Sequence, residues 1–365
     1  MTATKPHESQ ATPIVLGGLL GSTLTGWLAG LGLLRILHEA RLDGTPRLGW
    51  EPTQPHRAII DGVACTADAM PELVGPLLVG YLAHLDPFGG VGVTMKDIPP
   101  ERFQEEVKAA LKGADRFRLD LLGALGSDLA SKAVKEKDNG GKAKGADKAS
   151  KGADGDAAVK KEALGLLSPQ WCVMDGSQRR ELLSVTRKIA NLCQMKGRGK
   201  KLLTAEEVLA KRMATTLLGP WTEDDDVSLN LDAVSREYAY RWGDPGPEGI
   251  GCDGGASLLA LIGLSLLPAV PTQRGAEIVL SSACCTDATG GGAWVSWPIW
   301  RGNLGMGGAR RMLAMPEIVE EVPPDGLSDM GVQVVYRAHR RLLAKGVGSF
   351  AAGRPVWRMG AKPAM

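Results

Sequence analysis

Three groups of residues in this 365-residue chain have types and spacings that bear on chemistry. The first is Gly249-Ile250-Gly251-Cys252-Asp253-Gly254, which runs straight into an apolar helix predicted over Ala256 to Leu267. A glycine loop that opens a helix leaves backbone amides free to hold an anion. Gly249, Gly251 and Gly254 also match the spacing of a dinucleotide fingerprint, but that fingerprint follows a buried strand. Here Gly243-Asp244-Pro245-Gly246-Pro247-Glu248 stands in front, and it reads as a loop. Two readings remain: a tight turn into a buried helix, or the phosphate-binding loop of an enzyme.

The second group is basic. From Arg187 to Arg212 there are eight basic residues, Arg187, Lys188, Lys196, Arg198, Lys200, Lys201, Lys211 and Arg212, against two acidic ones, Glu206 and Glu207. The loop Lys196 to Lys201 carries enough glycine to follow a phosphate backbone, and each phosphate it neutralises releases counterions. A second asymmetry lies near the C-terminus: Met330 to Met365 holds seven basic residues and no acidic one. Such a surface steers nucleic acid or an acidic partner subunit, and the sequence leaves both open. The third group interleaves aromatic and basic side chains, with Arg236 and Arg241 around Tyr238, Tyr240 and Trp242. Alternation puts those three rings on one face of a strand, where rings and cations together suit single-stranded nucleic acid. The same rings equally suit a core or a subunit face.

Other chemistry is missing. There is no Gly-x-Ser-x-Gly elbow, no Gly-x-x-x-x-Gly-Lys loop and no His-Glu-x-x-His. The histidines His7, His38, His56, His84 and His339 are scattered, and His38 and His339 read as structural or surface residues. Six cysteines without Cys-x-x-Cys spacing give no support for zinc or a disulfide framework and read as reduced thiols. Asp224 to Asp226 point in different directions on any regular backbone, which argues against a metal site. The sequence therefore calls for a binding subunit rather than an enzyme, with no cofactor and no metal.

The elements that must position these residues are mixed. Ile14 to Leu16 reads as a strand, followed by a glycine turn and a helix capped at Ser22 or Thr23 with the stripe Leu24, Trp27, Leu28, Leu31 and Leu34. Arg47 to Trp50 and Arg57 to Ile60 read as strands, Pro71 to Leu85 as a helix that Pro76 kinks or shortens, and Pro100 to Leu125 as one long helix. Ser177 to Met195 is helical, and Thr204 with Glu207 forms a capping box for a helix to about Leu217. Val332 to Tyr336 and Pro355 to Met359 are strands. Lys132 to Lys161, rich in lysine, alanine and glycine without an aromatic, cannot bury enough apolar area to offset its ordering entropy. The expected fold is α+β, with mixed α/β layers, a helical middle region and a flexible insertion. It divides into an N-terminal α+β region 1–131, the insertion 132–161 and a C-terminal α+β region 162–365 that contains the helical segment 177–217.

Hydrophobic residues make up 44% and charged residues 23%, with a net charge of +2, so the chain has the composition of a globular protein with a core. Ile14 to Leu34 contains no charged residue and is long enough to be weighed as a membrane span. Six glycines dilute it, and the globular strand-and-helix reading is preferred.

Tyr238 to Pro245, the helix closing on Leu264-Ser265-Leu266-Leu267-Pro268-Ala269-Val270-Pro271, and Trp297-Pro298-Ile299-Trp300 together resemble large-subunit-type proteins of type I CRISPR surveillance (Cascade) complexes. The likeness is greatest to their I-G group, formerly I-U, in its C-terminal half. Gly26 to Arg35 followed by Leu48-Gly49-Trp50 is similar to the opening of the same proteins. The resemblance covers about half the chain in short blocks without catalytic residues. It implies a cytoplasmic, non-catalytic subunit of an RNA-guided antiviral complex. Its partners would be a guide RNA-containing protein complex, target DNA and a helicase-nuclease, with no membrane. In such complexes the guide reads sequence, while a protein of this type contacts the flanking duplex and helps separate the strands. On that basis Arg187, Lys188, Lys196, Arg198, Lys200 and Lys201 are the candidate backbone contacts, joined by Arg236 and Arg241.

Overall fold

A computed structural model of the chain describes residues 12–42, 44–134, 163–173, 181–193, 203–222, 227–232, 252–287, 293–342 and 348–360. It is an α+β fold. The chain begins with β1 (Ile14–Leu20), α1 (Leu24–Glu39), β2 (Arg47–Trp50) and β3 (Arg57–Asp61). Strands β1 and β2 flank β3 in an antiparallel sheet. Three helices follow, α2 (Met70–Leu82), α3 (Pro100–Lys112) and α4 (Arg116–Leu125). Next come β4 (Ser131–Val134) and β5 (Ala163–Leu166), an antiparallel pair that brackets the lysine-rich insertion. Helices α5 (Leu182–Ala190), α6 (Ala205–Leu218) and α7 (Gly254–Leu264) lead to the hairpin β6 (Ala269–Arg274) and β7 (Glu277–Ser282). The chain closes with β8 (Cys285–Asp287), β9 (Ala293–Trp300), α8 (Met306–Leu313), β10 (Val332–Leu342), β11 (Gly348–Phe350) and β12 (Arg354–Arg358). In that second sheet β8, β9 and β10 run side by side, and β11 and β12 succeed each other along the far side of β10.

Helix α1 is the centre of the molecule. The uncharged run from Ile14 to Leu34 divides at Gly21 to Thr23 into a strand and a helix, and Thr23 caps the helix by accepting from Gly26 N at 3.1 Å. A single apolar stripe was the expectation; instead every residue from Gly26 to Leu37 is buried, because neighbours cover the helix on all sides. Arg35, fully buried, ends the apolar stretch with ion pairs to Glu39 at 2.8 Å and Asp120 at 3.0 Å. Among the described residues no helix is long and apolar enough to cross a membrane.

Helix α7 lies antiparallel on α1 so closely that glycine is required at the crossing. A Cβ on Gly32 would stand 2.0 Å from the Leu259 carbonyl oxygen, and one on Gly263 would stand 2.0 Å from that of Leu28. Three indoles tie β9 to the N-terminal elements. Trp27 Nε1 donates to the Pro298 carbonyl at 3.1 Å, Trp297 Nε1 to Gly21 at 2.9 Å and Trp300 Nε1 to Leu48 at 3.0 Å. Each buried ring thus brings apolar area and a satisfied donor.

The regions on either side of the insertion share one hydrophobic core, which runs from Ile14 to Phe350. They are two halves of one body rather than two lobes. One helix departs from expectation. The long helix over Pro100 to Leu125 breaks at Gly113-Ala114, where Ala114 has φ +52°, and Asp115 starts α4 by accepting from Arg118 N at 2.9 Å. Helix α2, read over Pro71 to Leu85, ends at Leu82 with Pro76 inside it, in line with the expected shortening.

Candidate nucleic-acid interface

The cation-only C-terminal segment folds into β10, β11 and β12, so the structure gathers its arginines on one end of the larger sheet. Alternation along β10 sets Arg337, His339 and Arg341 on one face, and antiparallel register puts Arg354 directly opposite Arg337. Arg358 pairs with Val334 further along the edge. Arg341, Arg354 and Arg358 are exposed. So is Arg301 at the end of β9, with its Nη1 3.2 Å from Met359 Sδ.

Arg337 has a different task. It is buried, with its guanidinium 4.6 Å from the Trp294 ring centre, Nε donating to Ser296 Oγ at 2.9 Å and Nη1 to the Glu321 carbonyl at 3.0 Å. Its Nη2 donates to the Glu320 carbonyl. Burial lowers its pKa from the usual arginine value, and the Glu321 charge opposes that shift. The residue clamps the turn around Glu320 onto β9 and β10 and is not available to a ligand. Beyond it the face opens to solvent at His339, whose ring meets Trp294 edge-on at 5.6 Å.

β12 is an edge strand, and its edge is guarded. The register slips between Val335 and Tyr336, which leaves Val356 as a bulge, Pro355 contributes no amide, and arginines stand at both ends. Bulges, proline and exposed charge are the devices that stop strand addition. The edge therefore offers side-chain cations to an anionic surface rather than backbone to a strand. Four arginines among the helices are already matched: Arg102 and Arg118 to Glu106, and Arg116 and Arg310 to Asp120. Among the described residues neither Arg354 nor Arg358 has a carboxylate partner.

The residues singled out from the sequence fare differently. Arg187 is turned inward: Nη2 donates to the Val91 carbonyl at 3.2 Å and to that of Gly92, and Nε lies 3.3 Å from Asp86. It pins the 86–92 loop to α5 and keeps only part of its side chain exposed. Lys188 is exposed in the last turn of α5. Lys196, Arg198, Lys200, Lys201, Arg236 and Arg241, with Tyr238, Tyr240 and Trp242, lie outside the described residues, as do Asp224 to Asp226. The sheet edge was legible only as a charge asymmetry, because the pairing that exposes Arg354 while burying Arg337 depends on β9 and β10.

Of the glycine loop, only the part that opens α7 is described. Gly249 and Gly251 lie outside the described residues, but the start of α7 is described, and a carboxylate occupies it. Asp253, buried, accepts from Ala256 N at 2.7 Å, from the Thr216 hydroxyl at 2.6 Å and from Thr222 N at 3.3 Å. One amide at the α7 start, Ala256 N, thus already holds a negative group of the protein's own.

All six cysteines are free thiols, and burial pushes Cys284 up to about 12, which leaves it unreactive at neutral pH. Among the described residues no three His, Cys, Asp or Glu side chains come together in a way that could hold a metal ion. Comparison with protein-family models gives no match for this chain, and comparison with curated proteins gives none either.

Proposed function

We propose that this chain is a non-catalytic, cytoplasmic subunit of an RNA-guided type I CRISPR surveillance complex that contacts the DNA beside the target through cationic side chains. The sequence blocks from Tyr238 to Trp300 supply the family. The observation that carries the DNA contact is the guarded β12 edge, where Arg354 and Arg358 stand exposed without carboxylate partners among the described residues, whereas Arg102, Arg116, Arg118, Arg187 and Arg310 are engaged in internal ion pairs. Arg341 on the same sheet extends the cationic row, and the loop Lys196 to Lys201 adds a second, sequence-based contact. Guide pairing reads the target, and this protein grips backbone and offers a docking surface to sister subunits and the helicase-nuclease.

The test begins with co-expression of this chain and its neighbouring genes. A guide RNA and sister subunits should purify with it; a chain that purifies alone with a bound nucleotide would support the phosphate-binding enzyme instead. In the assembled complex, replacing Arg341, Arg354 and Arg358 by alanine should weaken duplex binding at every sequence. The slope of log affinity against log salt should become shallower by about 0.9 for each phosphate that the variant no longer neutralises. Unchanged affinity and slope at low salt would remove the sheet edge from the interface.

A further inference from the structure

An extra residue in β12 decides where its two arginines stand. Among the described residues β12 pairs only with β10. Arg354, Pro355, Val356 and Arg358 are exposed, while half-buried Trp357 seats the strand on the core. Arg354 lies opposite Arg337 and Pro355 opposite Tyr336. The register then slips, so that Trp357 lies opposite Val335 and Arg358 opposite Val334. Residues paired across a sheet share a face, and neighbours along a strand alternate. Arg354 therefore stands on the face of Arg337, and Arg358 on the face of Val334 and Tyr336. In a regular strand, residues four apart share a face; the extra residue, Val356, puts these two arginines on opposite faces.

One cation on each face of an edge strand is poorly placed for a polyanion that lies flat against either face, because only one of the two meets it. The arrangement suits a channel with two anionic walls that receives the edge itself. Between the arginines the crest is Pro355 and Val356, the latter 40% exposed. The edge thus has apolar groups at its crest and positive charge on both flanks. The major groove of a DNA duplex has the matching order, with base edges and thymine methyls on its floor and a phosphate row on either side. Its width of about 12 Å takes a β-layer about 10 Å thick, whereas the minor groove, about 6 Å wide, does not. Pro355 and the bulge block strand addition but not this mode, which uses side chains rather than backbone.

We propose that the β12 edge enters the major groove of duplex DNA, with Arg354 on the phosphates of one strand, Arg358 on those of the other, and Pro355 and Val356 toward the floor. The inference rests on the DNA contact proposed above and adds the form of nucleic acid that the edge takes: a duplex, with both strands held. Phosphate contacts from both flanks fix position and orientation on the duplex and carry no base sequence.

The test uses the co-expressed complex and duplexes in which single phosphates are replaced, one position at a time, by neutral methylphosphonates. With the unmodified complex, neutral positions on both strands should weaken binding. Arg354→Ala should lose sensitivity to positions on one strand only, and Arg358→Ala to positions on the other. Each variant should also make the slope of log affinity against log salt shallower by about 0.9 for the phosphate it no longer neutralises. Arg354→Gln and Arg358→Gln, which keep most of the side-chain stem, should repeat these results. Methyl green, which occupies the major groove, should displace the complex, and netropsin, which occupies the minor groove, should not. Loss of sensitivity on the same strand in both variants, equal affinity for a single strand, or displacement by netropsin alone would overturn the groove-bound edge while leaving a DNA contact in place. Unchanged affinity in both variants would remove the DNA contact at this edge as well.

Discussion

Gly32→Ala is the substitution on which helix propensity and packing give opposite answers. Taken alone, α1 should gain about 1 kcal/mol, because alanine loses less backbone entropy than glycine in a helix interior. At the α1–α7 crossing, however, the new methyl would lie 2.0 Å from the Leu259 carbonyl oxygen, 2.9 Å from its carbon and 3.0 Å from Gly263 N. An ordinary carbon–oxygen contact is above 3 Å, so the helices must part by about 1 Å. Both are buried throughout the contact. A gap of that size forfeits roughly a quarter to a half of the dispersion energy of every atom pair it separates. Overpacking of this kind costs up to about 3 kcal/mol. After the propensity gain, a net loss of about 2 kcal/mol remains. Gly80→Ala in α2 is the control: it is exposed, nothing lies within 4 Å of its added methyl, and it should gain about 0.5–1 kcal/mol. Urea unfolding read by tryptophan fluorescence distinguishes the signs. Gly263→Ala should repeat the Gly32 loss, and the double variant should cost less than the sum, since helices already parted accommodate the second methyl. A Gly32→Ala protein as stable as Gly80→Ala would refute the close crossing.

Two further outcomes follow from buried carboxylates. Asp253→Ala strips the α7 start of its acceptor and leaves the Thr216 hydroxyl and two amides without it; a loss of about 3 kcal/mol in urea unfolding is expected, with Asp253→Asn recovering part of it. Asp232 accepts from Leu24 N at 2.9 Å and Thr25 N at 3.2 Å, and burial raises its pKa against the lowering effect of those bonds. A carboxyl raised in the folded state contributes most stability below its unfolded pKa and loses it as pH rises through the folded value. Asp232→Asn should therefore compare more favourably with the unmodified chain at pH 7 than at pH 4. A difference that stays constant, or runs the other way, would show that the helix amides outweigh burial.

Local signals in the sequence carried local structure well. The Thr204–Glu207 capping box forms as expected, with Thr204 N to Glu207 Oε2 at 2.9 Å and Glu207 N to Thr204 Oγ1 at 3.3 Å, and the strands read over Arg47 to Trp50 and Arg57 to Ile60 form. The α3–α4 break was readable in principle, since Gly113 followed by Asp115 is a stop and a cap, but the continuous apolar spacing across them hid it. What the sequence could not give was anything set by distant partners. α1 looked like a one-sided helix because nothing local announces α7 on its other side. Arg187 looked available because its partners, Asp86 and the Val91 and Gly92 carbonyls, lie about a hundred positions earlier in the chain.

That partition of arginines gives the candidate interface its physical meaning. A guanidinium placed among helices finds a carboxylate or a carbonyl, since leaving it unpaired in a low dielectric costs too much, and Arg35, Arg118, Arg187 and Arg337 all show this. The β12 edge escapes the constraint because solvent carries the solvation cost there. Its cations are therefore not needed to hold the fold, and they can be removed with little effect on stability. Net charge alone would not identify such a surface; the sorting of cations that hold the fold from those that do not does. If an Arg354 and Arg358 double variant proved as destabilising as loss of the Arg337 clamp, that sorting would be wrong, and with it the reason for assigning the sheet edge to nucleic acid.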